Sequence, residues 1–253
     1  MARLIVLGSA AAVSDAAHDN THFVLQGDHG SVVLVDCGSN PLVRLKQCDL
    51  LHDDLTDVIL THFHPDHVGS LPLMLMQLWL LGRKNPLHIY GLPHCIRGVE
   101  NMMAGFEWES WPEFFLVAFH RVPERDGVLL LDNDDFRIIS WPTRHFLPTI
   151  GFRVEVKTSG KTIGYSCDTE PVPAITALAQ DVDLLLHEAS GEGAGHSSAA
   201  QAGQVASEAN AKRLELIHYT VSDHLDTAAL AAEARTTFAG PIGVAQDFAV
   251  YEI

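Results

Sequence analysis

Three histidines and one aspartate fall within six positions in the stretch THFHPDHVGSL, residues 61–71, directly after the apolar run Val58-Ile59-Leu60. In this H-x-H-x-D-H spacing, His62 and His64 share one side of an extended segment, while Asp66 and His67 follow as the chain turns into a helix. Two pairs of donors therefore leave one corner in two directions. That suits two neighbouring metal ions, one taking His62 and His64, the other Asp66 and His67. Mixed imidazole and carboxylate donors favour Zn, with Mn or Fe as alternatives. Two ions need further ligands, and three strand ends offer candidates: His145 in TRHFLPTIGFRVE, Asp168 in IGYSCDTEP and His218 in LELIHYT. A carboxylate such as Asp168 can bridge two cations, which a neutral imidazole cannot.

These residues can meet only if the fold brings several strand ends to one edge. Apolar runs with strand character cover 4–7, 22–25, 32–35 and 58–60. Pro65 suits the first turn of a helix, which is read as continuing to residue 81. A strand over 88–90 and a helix over 93–104 come next. Two hairpins are expected, one pairing 128–131 with 136–139 and the other pairing 150–156 with 162–166. The rest alternates: helix 172–179, strand 184–187, helix 197–209, strand 214–218, helix 227–238 and strand 248–251. Two β-rich stretches with helices between and after them predict a pair of mixed sheets flanked by helices. No linker, low-complexity tract or repeat interrupts the chain, so residues 1–253 read as a single domain.

The charge balance restricts partners. Thirty-two acidic residues against 16 basic ones give a formal charge of -16, which repels polyanions. Basic residues come in ones and twos, with no stripe to track phosphates, so long nucleic acids are disfavoured. The four cysteines, Cys37, Cys48, Cys95 and Cys167, show no C-x-x-C pairing and read as reduced thiols in a cytoplasmic protein. The apolar start, Leu4 to Leu7, is interrupted by Gly8 and Ser9 and reads as a first strand rather than a leader. No run reaches the roughly 18 apolar residues of a membrane span.

THFHPDHVGSL followed in order by His145, Asp168 and His218 resembles the metallo-β-lactamase superfamily. The resemblance implies an αββα sandwich holding a dinuclear metal site, and it covers nearly the whole chain. Within the superfamily, LLLHEAS at 184–190 and GAGHSSAAQAG at 193–203 are similar to the paired HEAT and GHS motifs of the ribonuclease Z branch. Lactonase-like and glyoxalase-like members carry a GH[ST] piece before the bridging aspartate, whereas His196 here follows Asp168. The resemblance implies one divalent ion on His62, His64 and His145, a second on Asp66, His67 and His218, and Asp168 between them. Two such cations lower the pKa of a shared water to about 7 and neutralise charge building on phosphorus. Asp66 can also hold the proton of the attacking oxygen. His196 would meet the scissile phosphate or protonate the leaving oxygen, with Glu188 accepting its other N–H and fixing the tautomer.

The chain also departs from that branch. Ribonuclease Z carries a long arm for tRNA between the third-motif histidine and the bridging aspartate, but only residues 146–167 lie between His145 and Asp168. The N-terminal loop reads SDAAHDN, and Asp36-Cys37-Gly38-Ser39-Asn40-Pro41 stands where the branch has a DCGEGT signature. The expectation is therefore a metal-dependent hydrolase acting on a small phosphodiester or short nucleotide. Its rivals are a tRNA 3′ endonuclease, a carboxylic-ester or lactone hydrolase, and a non-catalytic metal-dependent binding module. A homodimer is compatible with such a chain.

Overall fold

Strand β1 (Arg3–Gly8) is buried on both faces: Leu4 and Val6 enter one apolar layer, Ile5 and Leu7 another. A sheet with two apolar faces must be covered on both, and that requirement sets the architecture. The computed structural model describes residues 1–223 and 225–253. The first sheet runs through β1, β2 (His22–Gln26), β3 (Val32–Val35), β4 (Asp57–Leu60), β5 (Leu87–Gly91) and β6 (Val117–Arg121). The second runs through β7 (Val128–Asp132), β8 (Phe136–Pro142), β9 (Ile150–Val156), β10 (Thr162–Tyr165), β11 (Leu184–Ala189), β12 (Leu214–Tyr219) and β13 (Ile242–Val244). Strand β14 (Val250–Glu252) closes the first sheet, antiparallel to β1.

Each sheet has an antiparallel part and a parallel part. The parallel parts are β3 to β6 and β10 to β13. Between the sheets lies one core layer, where Leu4, Phe23 and Ile59 of the first meet Phe136, Phe152 and Leu186 of the second. Helices α1 (Pro41–Gln47), α2 (Pro65–Val68), α3 (Leu71–Leu80) and α4 (Pro93–Gly105) cover the outer face of the first sheet, with Leu45, Leu75 and Val99 packed on Ile5, Leu34 and Val58. Helices α5 (Pro173–Leu178), α6 (Ala199–Glu208) and α7 (Thr227–Ala234) cover the second through Ile175, Val205 and Ala234. The layering is the αββα sandwich expected from the sequence. Among the described residues no helix is long and apolar enough to cross a membrane. All four cysteines are free thiols, with Cys37, Cys95 and Cys167 buried.

The sequence-based elements differ from the observed ones where tertiary contacts intervene. The helix expected from Pro65 to residue 81 is two helices, broken at Gly69 and Ser70. There the Ser70 N–H donates to the Cys37 carbonyl (2.9 Å) instead of continuing the helical ladder. The last helix stops at Ala234 rather than 238. Helix α1 and strands β6 and β13 have no counterpart among the expected elements. Strand β6 carries His120 and Arg121 in a half-exposed edge, and β13 has only three residues, so neither shows an apolar alternation. Of the two serines that could cap α6, Ser197 and Ser198, it is Ser198 that does so, accepting from the Gln201 N–H and completing a capping box.

The parallel strands matter most for function. In open parallel sheets, ligands sit beyond the carboxyl ends of the strands. Asp36 follows β3, Thr61 and His62 follow β4, and Asp168 follows β10, while Glu188 and His218 are the penultimate residues of β11 and β12. Two backbone bonds tie the sheets together at this edge, from the Ile150 N–H to the Thr61 carbonyl (3.2 Å) and from the His218 N–H to the Ser9 carbonyl (2.8 Å).

Candidate metal centre

The corner that carries the histidines is held by an unusually close chain crossing. Cys37 N–H donates to the His67 carbonyl (2.6 Å), and a Cβ on Gly38 would lie 1.7 Å from the Asp66 carbonyl oxygen. Only glycine lets the two backbones pass there. Three residues at the strand ends adopt left-handed backbone without being glycine: Asp36 (φ 62°), Cys167 (φ 53°) and His218 (φ 52°). Such conformations cost about 1–3 kcal/mol each and collect where the surroundings over-determine them, often at functional sites.

The side chains converge. Potential ligand atoms of His62, His64, His145 and Asp168 all lie within 4.8 Å of one another, as do those of Asp66, His67 and His218. His64 Nδ1 stands 2.9 Å from His62 Nε2 and 3.1 Å from His145 Nε2. His67 Nε2 stands 3.3 Å from His218 Nε2. Asp168 lies between the two groups: one oxygen is 3.8 Å from His62 Nε2, 3.7 Å from His145 Nε2 and 3.6 Å from His67 Nε2, and the other is 3.5 Å from His218 Nε2.

In four of the five clustered histidines the opposite ring nitrogen is tied to a fixed partner. His67 Nδ1–H donates to Asp36 (2.8 Å), and His145 Nδ1–H donates to the Gly195 carbonyl (2.8 Å). His62 Nδ1 bonds to Thr61 Oγ1 (3.1 Å), whose hydroxyl donates to Asp36 (2.9 Å). His218 Nδ1 bonds to Ser190 Oγ (2.9 Å), whose hydroxyl donates to the His218 carbonyl (2.6 Å). These partners put the proton on Nδ1 of four histidines and leave the Nε2 lone pairs facing one another. Facing lone pairs repel unless a cation lies among them, so this donor set fits divalent metal ions, held in the manner of carboxylate–histidine–metal triads.

The electrostatics agree. Burial drives the His62 imidazole well below its ordinary value, keeping it neutral as a ligand must be. For Asp168, burial opposes ionisation, but His218, His67 and His62 outweigh it and hold the carboxyl well below the usual range. For Asp66, His218 and His67 likewise overcome burial. Burial lowers His67 too, yet Asp168 and Asp36 lift it well above the ordinary histidine value. A divalent ion would take the place of that proton. Cys167 stands 3.8 Å from His62 Nδ1, the nitrogen turned away from the cluster centre, and burial holds its thiol protonated.

His196 and Glu188 form a second unit beside the cluster. Glu188 is fully buried, and one oxygen accepts from His196 Nδ1–H (3.1 Å), Ser197 N–H (2.9 Å) and Thr169 N–H (3.2 Å). The other oxygen accepts from Ser190 N–H (2.8 Å). Its hydrogen bond lifts the His196 imidazole above the ordinary value. A ring nitrogen of His196 also lies within 4.8 Å of potential ligand atoms of Asp168 and His218. A cleft of about 500 Å³ opens over the centre, lined by Val13, Asp66, Phe146, Asp168, His196 and Thr220 among others.

All nine residues singled out in the sequence therefore reach one site. The residues missed are those behind them: Asp36, Thr61, Ser190 and the Gly195 carbonyl. Asp36 had a signal, since it directly follows the apolar run Val32–Val35.

A family model described as anti-Pycsar protein Apyc1 matches residues 2–240. The chain belongs to that family. The Apyc1 match lies within a wider likeness. The ribonuclease Z of Methanothermobacter thermautotrophicus is 25% identical over 309 residues, spanning 100% of this chain and 97% of its own. The metallo-β-lactamase fold protein YhfI of Bacillus subtilis superposes with a TM-score of 0.83 at 24% identity, covering 100% of this chain and 99% of that one. Human short-form tRNase Z gives a TM-score of 0.80 at 24% identity over 99% of both chains. This Apyc1-family chain is thus a metal-dependent hydrolase of the metallo-β-lactamase superfamily, on its ribonuclease Z-like branch.

Proposed function

We propose that this protein hydrolyses small phosphodiesters, short nucleotides among them, at a dinuclear metal centre. One observation carries the reading: four histidines with Nδ1 fixed behind them turn Nε2 toward a shared centre that Asp168 divides into two groups. His62, His64 and His145 would hold one divalent ion, Zn before Mn or Fe, and Asp66, His67 and His218 a second, with Asp168 between them. When bound, the ions would polarise the phosphate and lower the pKa of a water molecule.

The chain's own groups supply the rest. Asp66, ionised and bordering the cleft, holds the proton of the attacking water. His196, its Nδ1–H held by Glu188 and its imidazole lifted above the ordinary value by that bond, carries a second proton on Nε2 and gives it to the leaving oxygen.

Substrate size follows from what surrounds the centre. Among the described residues, no Lys or Arg lines the cleft. The stretch between His145 and Asp168 is filled by β9, β10 and the turn 157–161, with no length left for an arm. The ribonuclease Z relatives favour RNA as a second reading, but the formal charge of -16 opposes a long polyanion.

The test pairs composition with turnover. Elemental analysis of the metal-supplemented protein should find two ions per chain, and Asp168→Ala should lose both. A panel of bis-p-nitrophenyl phosphate, cyclic mononucleotides and dinucleotides should include good substrates, while lactones turn over more slowly. One ion or fewer removes the dinuclear centre, and full metal loading without diester turnover removes the phosphodiesterase reading.

A further inference from the structure

Phe146 is 65% exposed at the lip of the cleft, an expensive place for a phenyl ring. The loop that carries it is anchored. Its loop is closed by Thr143 N–H donating to the Thr149 carbonyl (3.0 Å) and pinned to the second sheet's edge by Thr143 Oγ1 on the Asp168 carbonyl (2.8 Å). Glu170 N–H adds a bond to the Arg144 carbonyl (2.9 Å). The ring stands edge-on to His145, with centroids 5.0 Å apart, and 6.2 Å from His196. Gly195, at φ 76°, gives it room, since a Cβ there would come within 3.2 Å of the phenyl ring and 2.8 Å of His145 Nδ1.

The other apolar rim is Ala11, Ala12 and Val13, with Val13 63% exposed. That segment is tied to the far side of the centre, because Ala11 N–H donates to the Tyr219 carbonyl (2.9 Å), next to His218. Two apolar rims thus flank a polar floor. A phosphodiester sends its two arms away from phosphorus in different directions, so with the phosphate on that floor an arm meets each rim.

We infer that Phe146 is a specificity-determining residue whose exposed ring, on an anchored loop, stacks on a nucleobase, making nucleotides preferred over alkyl diesters. This inference rests on the phosphodiesterase reading for its floor. Stacking suits the site because it needs a flat partner and no side-chain donors, and every base has a π-face. It predicts a preference for a base over no base, with weak choice among bases.

Binding decides the inference separately from turnover. Calorimetry of the metal-loaded protein with adenosine 5′-monophosphate and with methyl phosphate gives the affinity ratio that the base confers. In the unmodified protein that ratio should exceed one by about 5- to 150-fold, the usual worth of one base–aromatic stack. Phe146→Ala should bring it close to one, and Phe146→Trp should restore most of it. Because the ring is exposed, Phe146→Ala should melt like the parent. A ratio of one in the unmodified protein, an unchanged ratio in Phe146→Ala, or no nucleotide binding at all would overturn the inference. Absence of diester turnover with the ratio intact would instead remove the hydrolytic reading and leave the stack standing.

Discussion

Asp36 accepts a 2.8 Å hydrogen bond from His67 Nδ1 and, through the hydroxyl of Thr61, also orients His62. One buried carboxylate therefore stands behind a histidine of each donor group. It reaches that position because β3 and β4 are parallel neighbours, paired Val35 to Ile59, and both end at the same edge. The Thr61 N–H also donates to Asp36 (2.8 Å), locking the strand end to the carboxylate. The backbone strain at Asp36 is thus offset by at least three hydrogen bonds to one side chain.

Asp36→Asn should weaken binding at both metal positions. Partners of this kind fix ring orientation and raise ligand basicity, and losing one typically costs about 10- to 100-fold in metal affinity. Competition with a chelator, read by elemental analysis at each step, would measure it. A variant that binds both ions as tightly as the parent would show that Asp36 serves the fold alone.

His196 has a different expected signature. If it acts on the leaving oxygen and is not a ligand, His196→Ala keeps its metal content and loses about 10² to 10⁴ in turnover, the usual contribution of a positioned acid or base. Glu188→Gln should lose activity in the same direction while still accepting from the Thr169 and Ser197 N–H groups. Loss of an ion in His196→Ala would make it a ligand alongside Asp168 and His218, whose donor atoms it approaches.

The sequence carried the donor atoms far better than it carried what holds them. His62, His64, Asp66 and His67 are adjacent in the chain, so their spacing alone states their chemistry. His145, Asp168 and His218 sit at ends of apolar runs, which places them at a sheet edge once the sheets are recognised. Asp36 and Ser190 act through bonds across neighbouring strands, and nothing in their local sequence reports those partners. The same limit explains the broken helix after Pro65: residues 65–81 have helical composition, and the interruption at Ser70 comes from Cys37, more than thirty positions earlier. Strand β6 did carry a signal, the apolar run FFLVAF at 114–119, but without the alternation that marks a half-solvated edge strand.

Gly38 tests that long-range constraint. A methyl group there would meet the Asp66 backbone at 1.7 Å, so Gly38→Ala must push the α2 turn away from β3. Overpacking of this kind costs about 1–3 kcal/mol, and the displaced turn carries Asp66 and His67. The variant should melt lower in chelator and bind metal more weakly than the parent. Gly105→Ala, whose Cβ would meet nothing within 4 Å, should do neither. Equal melting of the two variants would mean that the crossing relaxes freely.

Salt should separate a small substrate from a long one. A protein that grips tRNA neutralises several phosphates with Lys and Arg, and its affinity falls steeply with salt as counterions are released. Here the cleft lacks such side chains among the described residues, and the acidic excess adds repulsion that is strongest where screening is weakest. A single phosphate asks for less, because the metal centre and His196 can hold it. Hydrolysis of bis-p-nitrophenyl phosphate should therefore change little between about 50 and 200 mM salt. Precursor tRNA should be cut slowly or not at all over the same range. Efficient tRNA 3′ processing by the isolated protein, with affinity dropping sharply across that range, would instead place its substrate with that of the ribonuclease Z relatives.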